Sequence, residues 1–247
     1  MSRALYLIVC WGVLCAAHLV SAADDSVFAA ATRAYEAKNY AEAAQGYESL
    51  VQSRKWNATV FYDLGNAYYR LGNFGKAILN YERALALEPR HPEAQANLRL
   101  ASDEARALEL RKDRLERYAG IATVKQYSII AAASGWLALF IAGHLLLSRR
   151  RSARGLALIA LSLIVCGASI FAIYTLENGT RGPALAIVTA KEIEARLATA
   201  DNAKSVLLLP AGSEIRILSE RGDWVYAALP NDQQGWIPAA SAERVRL

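Results

Sequence analysis

The sequence predicts a membrane protein of several domains, with an all-α helical repeat, two transmembrane helices and a C-terminal all-β domain. Three observations predict this order. Small and aromatic residues recur at a fixed interval within residues 24–118, as in stacked helical repeats. Two apolar runs that are nearly free of charge follow, each close to the length that crosses a bilayer. Short alternating runs with turn signals between them fill the remainder and indicate strands.

Composition already separates membrane from soluble parts. Of the 247 residues, 54% are hydrophobic and 21% are charged, and the apolar ones concentrate at the N-terminus and between Tyr127 and Leu176. The formal net charge of +5 suggests nucleic acid only where the excess lies on one soluble face. Here the densest arginine cluster lies between the two apolar runs. We therefore expect no nucleic-acid partner.

The sequence offers no chemistry of catalysis or metal binding. Cys10, Cys15 and Cys166 all lie in apolar runs, so the soluble parts have no disulfide framework. His91 and His144 are far apart in the chain and in unrelated contexts. A Gly-rich phosphate loop, a nucleophile with a base, and an HExxH motif are all missing from the sequence. We predict a protein that is not an enzyme and that has no cofactor and no metal site.

Residues 1–23 have the pattern of a secretory signal peptide. A basic start at Arg3 precedes an apolar stretch that runs to Leu19, and small residues follow up to Ala22. We expect cleavage after Ala22 or Ala23, with an uncleaved signal anchor as the alternative.

The two central apolar runs are predicted transmembrane helices at residues 128–148 and 156–176. The loop between them, residues 149–155, carries four arginines, which the positive-inside rule places in the cytoplasm. The leader sends the preceding domain to the far side, and two spans return the C-terminus to that side. The prediction is a two-pass protein of a bacterial inner membrane with both soluble domains in the periplasm. The topology residues are Arg149, Arg150, Arg151 and Arg154.

The helical repeat is clearest over residues 61–89. Gly65 and Ala77 are small where two helices would cross, and Tyr81 would fill the space between them. Gly72 and Asn73 would make the turn, and Pro89 would end the second helix. This segment resembles a tetratricopeptide (TPR) repeat, a helix-turn-helix solenoid unit. A shift of 34 residues towards the N-terminus reveals a degenerate copy, in which Tyr47 aligns with Tyr81. A third helix starts near Ala94, and we expect it to continue through residues 106–117 as a capping helix that reaches the membrane.

The TPR resemblance implies a binding surface. Peptides bind the concave face of such repeats, which is formed by the first helix of each repeat. The alternative is that the tyrosines only pack repeat against repeat. Of the groups that a carboxylate clamp needs, only Asn66 and Arg70 are suitably placed. Carried over by position, the concave face holds Phe28, Thr32, Tyr35, Tyr62, Asn66, Tyr69 and Arg70.

Residues 184–247, after a linker at 177–183, carry the predicted strands. The order of Gly212, Trp224 and the segment Gly235–Pro238 resembles bacterial SH3 domains, which implies an SH3-like barrel. The sequence departs from that family at Leu197–Ala200, where its Gly-Pro pair is missing. Trp224 and Trp236 are the candidate ligand platforms, and barrel packing is the alternative role for them.

The order of leader, TPR domain, arginine-linked spans and SH3-like end resembles the BatE-type proteins of the bacterial aerotolerance operon. That resemblance implies a scaffold for protein–protein interactions with membrane proteins that carry von Willebrand A domains, in aerotolerance or envelope stress. The expected partners are these proteins or peptide segments, together with the lipid bilayer. The competing hypothesis is a cell-wall tether whose SH3-like domain binds peptidoglycan.

Overall fold

The computed structural model describes residues 26–148, 152–200 and 202–247. The predicted signal peptide and Arg149, Arg150 and Arg151 lie outside these residues. The first described helix, α1, covers residues 26–36. It is followed by α2 (Tyr40–Gln52), α3 (Ala58–Arg70), α4 (Phe74–Leu87), α5 (Pro92–Ala105), α6 (Arg114–Ala119), α7 (Val124–Ser148) and α8 (Ala153–Glu177).

Side-chain caps set the start of the central repeat. The Oδ1 of Asn57 accepts a hydrogen bond from the Val60 amide at 2.8 Å, which caps α3. The Oδ1 of Asn73 accepts one from the Lys76 amide and caps α4. Between the two helices, Gly72 takes a φ of 71°, a left-handed conformation that suits glycine in a tight turn. The predicted turn at residues 72–73 is confirmed.

The crossing of α3 and α4 depends on a small residue facing a large one. Tyr81 is 1% exposed, and its ring lies so close to Gly65 that a Cβ there would be 2.7 Å from Cδ1 and Cε1. Ala77 is fully buried beside them. The aromatic ring therefore fills the space that glycine leaves, as the repeat pattern predicts.

The predicted continuation of the third helix through residues 106–117 is wrong. Helix α5 ends at Ala105, because Arg106 adopts a left-handed conformation with φ 52° and ψ 38°. The chain then runs along the edge of the β domain, where the Leu108 carbonyl accepts from the Glu214 amide at 2.8 Å. The Leu110 amide donates to Glu214 Oε2 at 2.9 Å. These bonds satisfy backbone groups that a continued helix would have paired within itself.

Helices α7 and α8 form an antiparallel pair that is long and apolar enough to cross a membrane. Each has 25 residues, and the predicted spans fall within them. Most of their large apolar side chains are exposed in the protein, as expected for surface that faces lipid. Small residues mark the contact between the two helices. The hydroxyls of Ser134 and Ser169 are buried there and donate to carbonyls of their own helices.

The C-terminal region is a seven-stranded antiparallel sheet in the order β3-β2-β6-β5-β4-β1-β7. Within the described residues, β3 and β7 do not pair with each other, so the sheet is open. A closed SH3-like barrel is therefore not confirmed, although the predicted runs do form strands. The strands are β1 (Leu185–Val188), β2 (Glu192–Arg196), β3 (Ser205–Pro210), β4 (Glu214–Arg221), β5 (Trp224–Ala228), β6 (Gln234–Pro238) and β7 (Ala242–Arg244).

The sheet and the helical repeat share a hydrophobic core. Leu185, Ile187 and Val245 are buried in the same cluster as the side chains between α3 and α4. At its edge, Arg83 Nη2 of α4 donates to the Arg244 carbonyl at 3.0 Å and contacts the Glu243 carboxylate at 3.3 Å. The sequence predicted two separate modules and gave no sign of this packing.

Candidate functional site

A groove on the helical repeat brings together most of the residues predicted for the concave face. It has a volume of about 420 Å³ and lies among α1, α3, α4 and α5. Tyr81, Asn97 and Leu100 also contribute to its wall. Five of the seven predicted residues line it: Tyr35, Tyr62, Asn66, Tyr69 and Arg70.

A hydrogen-bond network holds the side-chain amide of Asn66 at the centre of the groove. The buried Tyr81 hydroxyl donates to Asn66 Oδ1 at 2.8 Å. Asn97 Nδ2 donates to the same oxygen at 2.8 Å and to the Tyr62 hydroxyl at 3.3 Å. Burial raises the pKa of Tyr81, so its phenol stays protonated and keeps donating. Because the Asn66 oxygen already accepts two bonds, the donors of its NH₂ group are the polar atoms that this side chain can offer a ligand.

The tyrosines of the groove are held by other rings. The Tyr62 ring lies 4.9 Å from His91, and the Tyr69 ring lies 5.6 Å from Phe74 in an edge-on arrangement. Tyr35 makes a similar contact with a ring of α2 at 5.2 Å. Each of these tyrosines is half-buried. They therefore pack within the repeat domain and also form the wall of the groove.

Arg70 supplies the charge of the groove. It is exposed at the rim, and its Nε donates to the Tyr35 hydroxyl at 3.5 Å, which raises the pKa of the guanidinium. Among the described residues that line the groove, the others are aromatic, amide or aliphatic. The site is thus a tyrosine-walled groove with amide donors and a cation at its edge.

Phe28 and Thr32 do not line the groove. The Phe28 ring packs against Tyr47 at 5.6 Å, and Thr32 Oγ1 donates to the Phe28 carbonyl at 3.0 Å. Sequence reasoning instead missed Asn97 and Leu100, both on α5. Leu100 stands 34 residues after Asn66, so the same repeat shift would have found it.

The two predicted tryptophans lie on the outer face of the sheet. Trp224 pairs with Pro238 and Tyr226 with Trp236 across β5 and β6, while the alternate residues face the core. The Tyr226 and Trp236 rings are 5.0 Å apart. Trp224 borders a shallow depression of about 370 Å³ together with the half-buried Arg196. Both tryptophans are half-buried, so each keeps part of its ring accessible.

Two other expectations concern charge and metal. Arg154 of the predicted cytoplasmic loop is exposed in the first turn of α8. Within the described ranges, His, Cys, Asp and Glu side chains form no cluster of three or more that could hold a metal ion.

Comparison with known families assigns the repeat. A tetratricopeptide-repeat model matches residues 58–91, which are α3, α4 and the turn that leads to α5. No curated protein matches the chain in a sequence comparison. The chain therefore contains a TPR repeat, a unit of interaction scaffolds rather than of enzymes, and this suggests a role in protein–protein interaction.

Proposed function

We propose that the protein is a membrane-anchored scaffold whose TPR groove binds an extended peptide segment of a partner protein. The observation that carries the proposal is the groove itself. Its tyrosine rings offer apolar contact to side chains, and the Asn66 amide and the Arg70 guanidinium offer donors to backbone carbonyls. An extended segment leaves those carbonyls unpaired, so it is the kind of ligand that these groups complement.

We further propose that the scaffold works in a bacterial inner membrane, with the groove and the sheet in the periplasm. The order of TPR repeat, two apolar helices and β region supports this, because it resembles the order in BatE-type proteins. The partners in this proposal are membrane proteins with von Willebrand A domains, in an aerotolerance or envelope-stress system.

The test is capture of partners by the full chain in cells. A photo-crosslinking amino acid at Leu100, which is exposed in the groove wall, should capture partner proteins for identification. Combined Tyr69→Ala and Arg70→Ala should weaken binding by about 2 kcal/mol, or about 30-fold, because few aromatic and arginine anchors dominate such interfaces.

The matched comparison is Arg70→Glu against Arg99→Glu. Arg99 is exposed on α5 but lines a different depression, so its reversal should leave capture unchanged. Lys76 of α4 also lies outside the groove lining, but it is less suitable as a control because its Nζ donates to the Tyr68 hydroxyl at 3.1 Å. Undiminished capture by a folded Arg70→Glu protein would show that the partner binds elsewhere.

A second candidate function is a cell-wall tether through the sheet. The outer aromatic face of Trp224, Tyr226 and Trp236 favours it, because flat rings can stack on sugars or wall peptides. Full-length protein should then be retained on purified peptidoglycan, and Trp224→Ala with Trp236→Ala should abolish retention. Failure of the full-length protein to bind purified peptidoglycan, together with capture of membrane proteins, would favour the scaffold.

A further inference from the structure

Helix α6 lies where the chain meets the membrane. It ends at Ala119, and four residues separate it from the start of α7 at Val124. A four-residue connection spans at most about 14 Å. On its other side, α6 packs against the end of α8, the second apolar helix. The start of α7 and the end of α8 thus hold α6 close to the same membrane surface.

A buried carboxylate fixes which face of α6 points to the protein. Glu116 is 8% exposed, and its Oε1 accepts from the Thr180 amide at 2.8 Å and from the Thr180 hydroxyl at 2.5 Å. Gly179 permits this approach, because a Cβ there would lie 2.7 Å from Glu116 Cδ. Ala119 is buried on the same face. The rotation of α6 about its axis is therefore determined.

Nothing in the described protein covers three apolar side chains of α6 and of the turn that follows it. Leu115 is 53% exposed, Tyr118 71% and Ile121 79%, and they follow each other at intervals of three residues. Arg114 and Arg117 are exposed beside them. Scattered exposed apolar residues are common, but three within seven residues of the chain form a patch that marks a contact surface.

We propose that Leu115, Tyr118 and Ile121, the interfacial patch, insert into the lipid headgroup layer on the side where α7 begins and α8 ends. Continuity favours lipid over a protein partner. Leu115 borders a crevice that Phe171 and Tyr174, exposed residues of the last turns of α8, also line, together with residues of the sheet. The exposed apolar surface of α8 thus continues to Leu115, the first residue of the patch.

The chemistry of the segment matches that of the interface. Tyrosine favours the boundary between hydrocarbon and water, where its ring is in an apolar layer and its hydroxyl is hydrated. The neighbouring Arg114 and Arg117 can reach lipid phosphates. Because the Glu116–Thr180 bonds tie α6 to the start of the sheet region, the patch would fix the height of the sheet above the membrane.

Site-directed spin labelling of the full chain tests this. Cys10, Cys15 and Cys166 are replaced by serine, and a nitroxide is attached at Leu115→Cys or Ile121→Cys. Leu71→Cys is the matched control, since Leu71 is 46% exposed at the end of α3 in the repeat domain. The protein is reconstituted in vesicles of phosphatidylethanolamine and phosphatidylglycerol, and collisions with oxygen and with a water-soluble nickel complex are compared.

Labels in the interfacial patch should collide more often with oxygen, which concentrates in lipid, than with the nickel complex. The label at Leu71 should show the reverse. Equal behaviour at all three positions would overturn the proposal, because the patch would then be in water. Spin–spin broadening at Leu115 or Ile121 would also overturn it, since a second copy of the chain would then cover the patch.

Discussion

Replacing Gly65 by alanine should destabilise the TPR repeat, although alanine is the better helix former. A Cβ at this position would lie 2.7 Å from two carbons of the Tyr81 ring, a distance that real Cβ contacts do not show. The ring cannot move freely, because it is 1% exposed and its hydroxyl bonds Asn66 at 2.8 Å. The extra methyl must therefore displace α4 or break that bond.

The magnitude follows from three opposing terms. Overpacking a well-packed core costs about 1–3 kcal/mol. Loss of the Tyr81–Asn66 hydrogen bond adds about 1 kcal/mol, and the higher helix propensity of alanine offsets about 1 kcal/mol. We expect Gly65→Ala to lower the free energy of unfolding by about 1–3 kcal/mol, and Gly65→Leu by more.

Urea-dependent hydrogen exchange of the full chain in detergent gives this free energy for α3 and α4 separately from the membrane helices. A double-mutant cycle isolates the clash. With Tyr81→Leu in place the ring is gone, so adding Gly65→Ala should be neutral or stabilising. If Gly65→Ala costs the same in both backgrounds, or nothing in the wild type, the close approach of α3 and α4 at this crossing is refuted.

Three further predictions concern pH, topology and α6. Burial raises the pKa of Glu214 from 4.5 to about 7, so its contribution to stability is present below pH 4.5 and is lost as the pH rises through 7. Thermal stability should therefore fall as the pH rises from 4.5 to about 7, and an equally steep fall in Glu214→Gln would contradict this. Alkaline phosphatase should be active when fused after Leu247 and inactive when inserted at Ser152, and the opposite result would invert the proposed topology. Thr180→Val removes a hydroxyl that donates to Glu116, so amide exchange in α6 should accelerate. Unchanged exchange there would show that this bond does not hold α6.

The helical repeat was predictable because local rules decide it. Gly65, Gly72 and Asn73 each occupy a position where packing, a positive φ or a cap selects that residue type, and the structure uses all three in those ways. The two membrane helices follow from length and apolar composition alone. The TPR resemblance implies the concave face, and five of the seven residues that it carries over by position line the groove.

The remaining features depend on contacts distant in sequence. The end of α5 could not be predicted, because Arg106 is an ordinary helix former, and its left-handed turn leads into bonds with Glu214 in β4. Phe28, which the TPR resemblance places on the concave face, lies outside the groove, because its ring packs against Tyr47 and a position in a repeat does not reveal such a neighbour. The resemblance to bacterial SH3 domains implies a closed barrel, but the Gly and Trp positions that carry it do not indicate which strands end unpaired.

The shared core has a consequence for how the protein is made. Arg83 in α4 and Arg244 in β7 are 161 residues apart in the chain, and both membrane helices lie between them. The hydrophobic cluster of the repeat is therefore complete only once Leu185, Ile187 and Val245 have been synthesised and α7 and α8 are in place. Contacts of such high sequence separation form late, because a long loop must close before they can stabilise anything. Until then the nascent repeat domain exposes the surface that the sheet later covers, and this exposure lasts through membrane insertion and synthesis of the C-terminal strands.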